Sequence, residues 1–224
     1  MSDMWVKICG ITEAKTAEYL LASGVDAMGL VFVPKSPRAL EIDNAKVLAE
    51  LTGPKICRVG LFMDAPHEFV EQVIAQVPLD ALQFHGQESA LDCERYGLPY
   101  LKALGLADAV PDTVWLERAA EYQSAKALLI DSHASGQMGG TGQAGDWARL
   151  KRLTQSLDKP WIMAGGLGPD NVMDAILACS PDGVDLSSGV ESQPGIKDHG
   201  KIDELMSAMA AVSTKPKNGV HFDG

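Results

Sequence analysis

Eight apolar runs of strand length alternate with eight runs of helix formers along this chain, and little else of comparable size is left over. The strand-like runs fall at 4–9, 26–32, 55–62, 79–84, 99–104, 126–131, 160–164 and 183–187. The helix-like runs fall near 13–23, 43–52, 66–76, 88–95, 113–122, 146–156, 169–178 and 198–212. Over 224 residues this gives about 28 residues per unit. Strict alternation of strand and helix implies parallel strands joined by crossover helices. Eight such units imply closure, an α/β chain folded as a single (β/α)8 TIM barrel over 1–212. A doubly wound open sheet is the structural alternative, but no G-x-G-x-x-G follows the first strand. The tail, 213–224, reads STKPKNGVHFDG, has no period, and is expected to lie outside the barrel.

Composition narrows the class further. No apolar run approaches a membrane span, and the start, MSDMWVKICG, carries acid early and has no signal-peptide h-region. A cytoplasmic protein is expected. The cysteines, Cys9, Cys57, Cys93 and Cys179, lack the spacing of a zinc or redox motif. A formal net charge of −11 argues against nucleic acid or an anionic membrane as partner. A small anionic ligand remains compatible, if its site is built from backbone N–H groups and one or two cations.

In barrels of this kind chemistry sits at the C-terminal ends of the strands. Strand one ends on Cys9, followed at once by Gly10 and by Thr12, which is placed as an N-cap. A cysteine there is either a small buried hydrophobe or a reactive group. Period two turns Trp5 and Lys7 inward with Cys9. A buried lysine needs a partner, and strand eight, next to strand one on closure, offers Asp185. A Lys7–Asp185 ion pair is predicted. Strand six ends on Asp131, either a loop or cap residue or a general acid. Cys9 and Asp131 would face each other across a ligand, a layout for one base and one acid.

Two loops after strands are long, Val33–Glu41 and Ser132–Gly145, and both belong to the active mouth. The first carries Arg38 between stiffening prolines; it is either a solvated arginine or a partner for a carboxylate. Strand seven runs into Gly165 and Gly166, strand eight into Ser188 and Gly189. Such glycines either make tight turns or admit a phosphate to backbone N–H groups. The phosphate reading is favoured because both loops are involved, and Gly142, in Gly139-Gly140-Thr141-Gly142, would close over the same anion. His85, after strand four, either lines the mouth or is structural.

Taken together, KICGIT, FVPKSPR, QFHG, LLIDS, GGTG, AGGLGPDN, VDLSSGVES and GIKDH occur in order, and the chain resembles the phosphoribosylanthranilate isomerase family of tryptophan biosynthesis. The resemblance covers nearly the whole barrel. It implies a (β/α)8 fold, an Amadori rearrangement of N-(5′-phosphoribosyl)anthranilate, Cys9 as general base, Asp131 as general acid and Arg38 on the substrate carboxylate. It implies no metal and no organic cofactor. A phosphorylated small molecule is the expected partner, and the chain is expected to be a monomer or a homodimer. One departure from the family pattern is Gly145 in QAGDW, where a phenylalanine commonly precedes Asp-Trp; glycine should loosen that loop. Two other readings are a sister aldose–ketose isomerase of histidine biosynthesis and a phosphate-binding barrel without catalysis. The first expects an aspartate at the end of strand one, where this chain has Cys9. The second has no need of an acid and a base face to face.

Overall fold

The computed structural model describes residues 4–106, 110–131, 147–210 and 220. Strand and helix alternate as β1 (Trp5–Cys9), α1 (Ala14–Ser23), β2 (Ala27–Val31), α2 (Ile42–Thr52), β3 (Cys57–Phe62), α3 (His67–Gln76), β4 (Ala81–Phe84) and α4 (Ala90–Glu94). They continue as β5 (Tyr100–Gly105), α5 (Asp112–Glu121), β6 (Ala127–Asp131), α6 (Trp147–Thr154), β7 (Trp161–Ala164), α7 (Val172–Cys179) and β8 (Gly183–Leu186). A short antiparallel pair, β9 (Glu191–Gln193) and β10 (Ile196–Lys197), precedes α8 (His199–Ala210). Strands β1 to β8 pair in parallel in sequence order and close, β8 against β1.

Each barrel strand is buried on both faces, and this is why it reads as a continuous apolar run. The outward residues Ile8, Met28, Leu82, Leu128 and Met163 pack against helix residues such as Ala17, Leu20, Leu48, Ile176 and Leu205. The inward residues are smaller on average: Trp5 is joined by Ala27, Val59, Ala81, Ala127 and Ile162. Fully burying a leucine stabilises by about 1.5–3 kcal/mol, so the outer shell, not the barrel interior, carries most of the stabilising area. Val220, the one described residue of the tail, is buried and joins the inner cluster with Trp5 and Ala27. At that residue the tail packs against the barrel.

Two local expectations need correction. Thr12 does not cap α1: the N-cap is Glu13, with no side-chain bond to the helix. Thr12 Oγ1 instead donates to the Gly195 carbonyl at 2.6 Å, tying the loop after β1 to the β9–β10 hairpin. The seventh helix starts at Val172 rather than 169, because Asn171 Oδ1 accepts the Gly168 N–H at 2.9 Å and holds those residues in a turn. Among the described residues no helix is long and apolar enough to cross a membrane.

Candidate active site

The C-terminal ends of the strands surround a cavity of about 330 Å³, at the small end of the range for ligand sites. Cys9 (β1), Asp131 (β6), Asp185 (β8) and His85 all line it, so the two groups read as base and acid share one cavity. Cys9 lies across from Gly29 in the β1–β2 register; a Cβ on Gly29 would come within 2.7 Å of the Cys9 Sγ, so glycine there makes room for the thiol. The predicted ion pair is present: Lys7 Nζ lies 2.8 Å from Asp185 Oδ1, with Lys7 fully buried. Their strands pair at these two residues.

Electrostatics at Cys9 favour the neutral thiol. Burial pushes the Cys9 thiol above its ordinary value, and the pull of Lys7 reduces that rise without reversing it. For Lys7, burial opposes the charge, yet Asp185 and Cys9 together outweigh it and the ammonium ends above its ordinary value. Cys57 and Cys93 are pushed up to about 12, and Cys179 to about 11, all chiefly by burial. What distinguishes Cys9 from those three is its place at the cavity, beside Lys7. The imidazole of His85 is lowered, by burial first, against the pull of Asp131 and Asp185. Its loop is pinned from behind. Buried Lys102 donates to the Gly86 carbonyl and to Glu88 Oε2, both at 2.8 Å, while Glu88 also accepts the Gly86 N–H at 2.9 Å.

Arg38 lines the cavity, and of the two readings sequence left open, a solvated loop arginine is excluded, since a carboxylate of the chain itself already holds it. Its Nε donates to Glu191 Oε1 at 2.7 Å and its Nη2 to Oε2 at 2.6 Å, a bidentate fork. Lys197 Nζ shares the same carboxylate at 2.7 Å and also reaches the Ser187 carbonyl at 3.2 Å. Burial works against the Glu191 carboxylate, but Arg38 and Lys197 outweigh it and hold it below its ordinary value. Gly10, at φ 81°, is what lets Arg38 lie across the end of β1: a Cβ at Gly10 would sit 2.4 Å from the Arg38 Cδ. Backbone and side chain thus set Arg38 close to Cys9.

The residues read as phosphate-binding divide. Gly165, Gly166 and Ser188 line the cavity. Gly189 is not among the lining residues; a Cβ there would lie 1.9 Å from the Leu167 carbonyl oxygen. Glycine there lets the loop after β8 pack closely onto the loop after β7. Asn171 Nδ2 donates to the Gly166 carbonyl at 2.9 Å, fixing the same turn from the helix side. Gly142, the GGTG segment and Gly145 lie outside the described residues.

Sequence reasoning missed Glu191 and Lys197 as partners of Arg38, and Gln83, Ser36 and Ser187 as cavity residues. Gln83 had a readable signal, since period two along β4 puts it inside with Ala81. Glu191 and Lys197 had no periodic signal, since they lie on strands of three and two residues, although both fall within the motifs VDLSSGVES and GIKDH.

A family model described as N-(5'phosphoribosyl)anthranilate (PRA) isomerase matches residues 6–208. A Cellvibrio japonicus protein named N-(5'-phosphoribosyl)anthranilate isomerase is 43% identical over 215 residues, covering 96% of this chain and 97% of that one. Among solved structures, phosphoribosyl anthranilate isomerase from Thermotoga maritima matches with a TM-score of 0.84 at 33% identity, covering 93% of this chain and 100% of its own. Another matching structure is a phosphoribosyl anthranilate isomerase in complex with reduced 1-(o-carboxyphenylamino)-1-deoxyribulose 5-phosphate. It has a TM-score of 0.79 at 33% identity, covering 93% of this chain and 100% of that one.

Proposed function

The chain belongs to the N-(5'-phosphoribosyl)anthranilate isomerase family, and we propose that Cys9 is the general base and Asp131 the general acid of its reaction. The enzyme is an isomerase of tryptophan biosynthesis that converts N-(5′-phosphoribosyl)anthranilate to 1-(2-carboxyphenylamino)-1-deoxyribulose 5-phosphate. The observation that carries the assignment is that Cys9 and Asp131, on β1 and β6, line one cavity while the other three cysteines do not.

Asp131 delivers a proton to the furanose ring oxygen. The ring opens, and the nitrogen lone pair forms a Schiff base at the first ribose carbon. That carbon–nitrogen double bond acidifies the hydrogen on the second carbon. Cys9, as thiolate, removes it, giving an enolamine. Proton transfer from the second-carbon hydroxyl to the first carbon then yields the ketone. A thiol raised by burial makes a strong base once ionised, and Lys7 is the buried cation that favours ionisation. Asp185 keeps Lys7 charged and in place.

Arg38 takes the anthranilate carboxylate, through the edge of the guanidinium that Glu191 leaves open. Gly165, Gly166 and Ser188 receive the phosphate, with Gly189 shaping their loops and Gly142 closing over the anion from its own. Two anchors on one substrate convert binding energy into orientation at the reacting carbons. The charged metabolites on both sides of the reaction favour a cytoplasmic enzyme, working as a monomer or a homodimer.

The test uses purified protein and freshly generated phosphoribosylanthranilate, whose anthranilate fluorescence falls as it is consumed. General acid–base groups contribute about 10²–10⁴-fold each. Cys9→Ser and Asp131→Asn should each lose at least about a hundredfold in kcat with little change in KM. Near-full kcat in saturated Cys9→Ser would remove Cys9 from the role of base.

A further inference from the structure

The floor of the cavity holds a polar atom with no partner among the described residues. Gln83 is 1% exposed on the inner face of β4, in register with Leu61 on one side and Leu101 on the other. Among the described residues, its Oε1 is the one buried side-chain nitrogen or oxygen that has no hydrogen bond. Its Nε2 lies 3.4 Å from His85 Nδ1. Turning the amide over would give Oε1 to His85 and strand Nε2 instead, so either orientation leaves one polar atom unmet. Native interiors rarely tolerate this, and a leucine or methionine would fill the position without the penalty. Gln83 lines the same cavity as Cys9, Asp131 and Asp185.

We propose that Gln83 is a substrate-binding residue whose side-chain oxygen accepts a hydrogen bond from the 3′-hydroxyl of the ribose. This rests on the isomerase reading above. An acceptor calls for a donor, and neither the phosphate nor the carboxylate of the substrate is one. The donors are the ribose hydroxyls and the anilinic N–H, and the latter is occupied by the ortho carboxylate of its own ring. The 2′-hydroxyl gives up its proton on the way to the ketone, and a carboxamide oxygen is too weak a base to take it. The hydroxyl formed from the ring oxygen belongs to Asp131. The 3′-hydroxyl keeps its proton throughout, and a neutral, non-basic acceptor suits a group that must be held but not ionised. Gln83 thereby fixes the rotation of the sugar so that the hydrogen on the second carbon faces Cys9.

The test compares the native protein with Gln83→Met on two substrates, made by condensing anthranilate with ribose 5-phosphate or with its 3-deoxy analogue. A buried hydrogen-bonding site left unmet lowers binding on the order of tenfold to a hundredfold. On the natural substrate Gln83→Met should lose kcat/KM by that factor. On the 3′-deoxy substrate the native protein should lose a similar factor, and Gln83→Met should equal or exceed it. The melting temperature of Gln83→Met should stay level or rise, because an unmet polar group has been removed. An equal loss on both substrates, a loss of less than about threefold on the natural one, or a fall in melting temperature would each overturn the proposal. Failure of the native protein to turn over the natural substrate would instead overturn the isomerase reading, so the two failures are distinguishable.

Discussion

Removing either member of the Lys7–Asp185 pair should damage the protein far more than removing both. Lys7 is 0% and Asp185 8% exposed, with 2.8 Å between the charged atoms. At that distance, with an effective dielectric constant near 20, the attraction is on the order of 6 kcal/mol. Desolvation of two ions offsets most of it, so the intact pair adds little net stability over an uncharged replacement. Breaking it leaves one charge buried and unpaired, which costs about 3–5 kcal/mol. For a chain of this size that is a fall of about 6–20 °C in melting temperature for Lys7→Met or Asp185→Asn alone. Lys7→Met/Asp185→Asn should recover at least about 2 kcal/mol relative to the sum of the singles. The assay is thermal unfolding by circular dichroism on the four proteins of the cycle. Additivity within about 0.5 kcal/mol would refute the argument. The pH sign follows from Lys7, whose folded pKa is raised above its ordinary 10.5. The stabilisation it gains from ionisation is complete below the unfolded value and is lost as pH climbs from there through the folded one. Lys7→Met should lack that alkaline loss. It should also push the Cys9 thiol further up, since Lys7 is the first of the charges that pull it down. Alkylation of Cys9, followed by peptide mass, should then need higher pH than in the native protein.

Arg38→Ala should raise KM strongly and change kcat little, because its proposed partner is remote from the reacting carbons. An unchanged KM in the fluorescence assay would detach Arg38 from the substrate. Inorganic phosphate should compete with substrate, and crystals grown with it should show the anion between Gly166 and Ser188. Non-competitive inhibition, or an anion bound among the outer helices, would move the phosphate site elsewhere.

The fold was legible because its signals are local and repeated. Eight apolar runs with short connections leave few topologies, and alternation along β1 and β8 was enough to place Lys7 opposite Asp185. Strand ends then put Cys9 and Asp131 at the mouth. What stayed hidden depends on distant parts of the chain. Arg38 meets a glutamate 153 residues away, on a hairpin whose strands are too short to show a period. Thr12 has the side chain of an N-cap, but the Gly195 carbonyl offers it a tertiary partner that overrides the local one. The rise of the Cys9 thiol is a matter of burial, and no pattern within KICGIT encodes how much water reaches the sulfur. Gln83 lies between these cases: its inward side was readable, its lack of a partner was not.

A chain of net charge −11 must concentrate positive charge locally to hold a substrate that carries both a carboxylate and a phosphate. Two of its fully buried lysines contribute nothing to that, since Lys7 is matched by Asp185 and Lys102 by Glu88. The Arg38–Glu191–Lys197 group differs, with two cations on one carboxylate. Its single surplus charge is presented outward: the side chains of Lys197 and Glu191 are 1% and 4% exposed, and that of Arg38 is 21%. Bound through Nε and Nη2, the guanidinium cannot rotate, and its remaining edge points one way. A longer-lived cost of this design is a glutamate buried among its partners, yet the same glutamate removes most of the rotamer freedom that an arginine loses on binding a ligand. In the proposed site this one fixed positive charge meets the one aryl carboxylate. In the proposed site the phosphate then falls to the backbone of the loops after β7 and β8, which Gly189 and Asn171 hold in place.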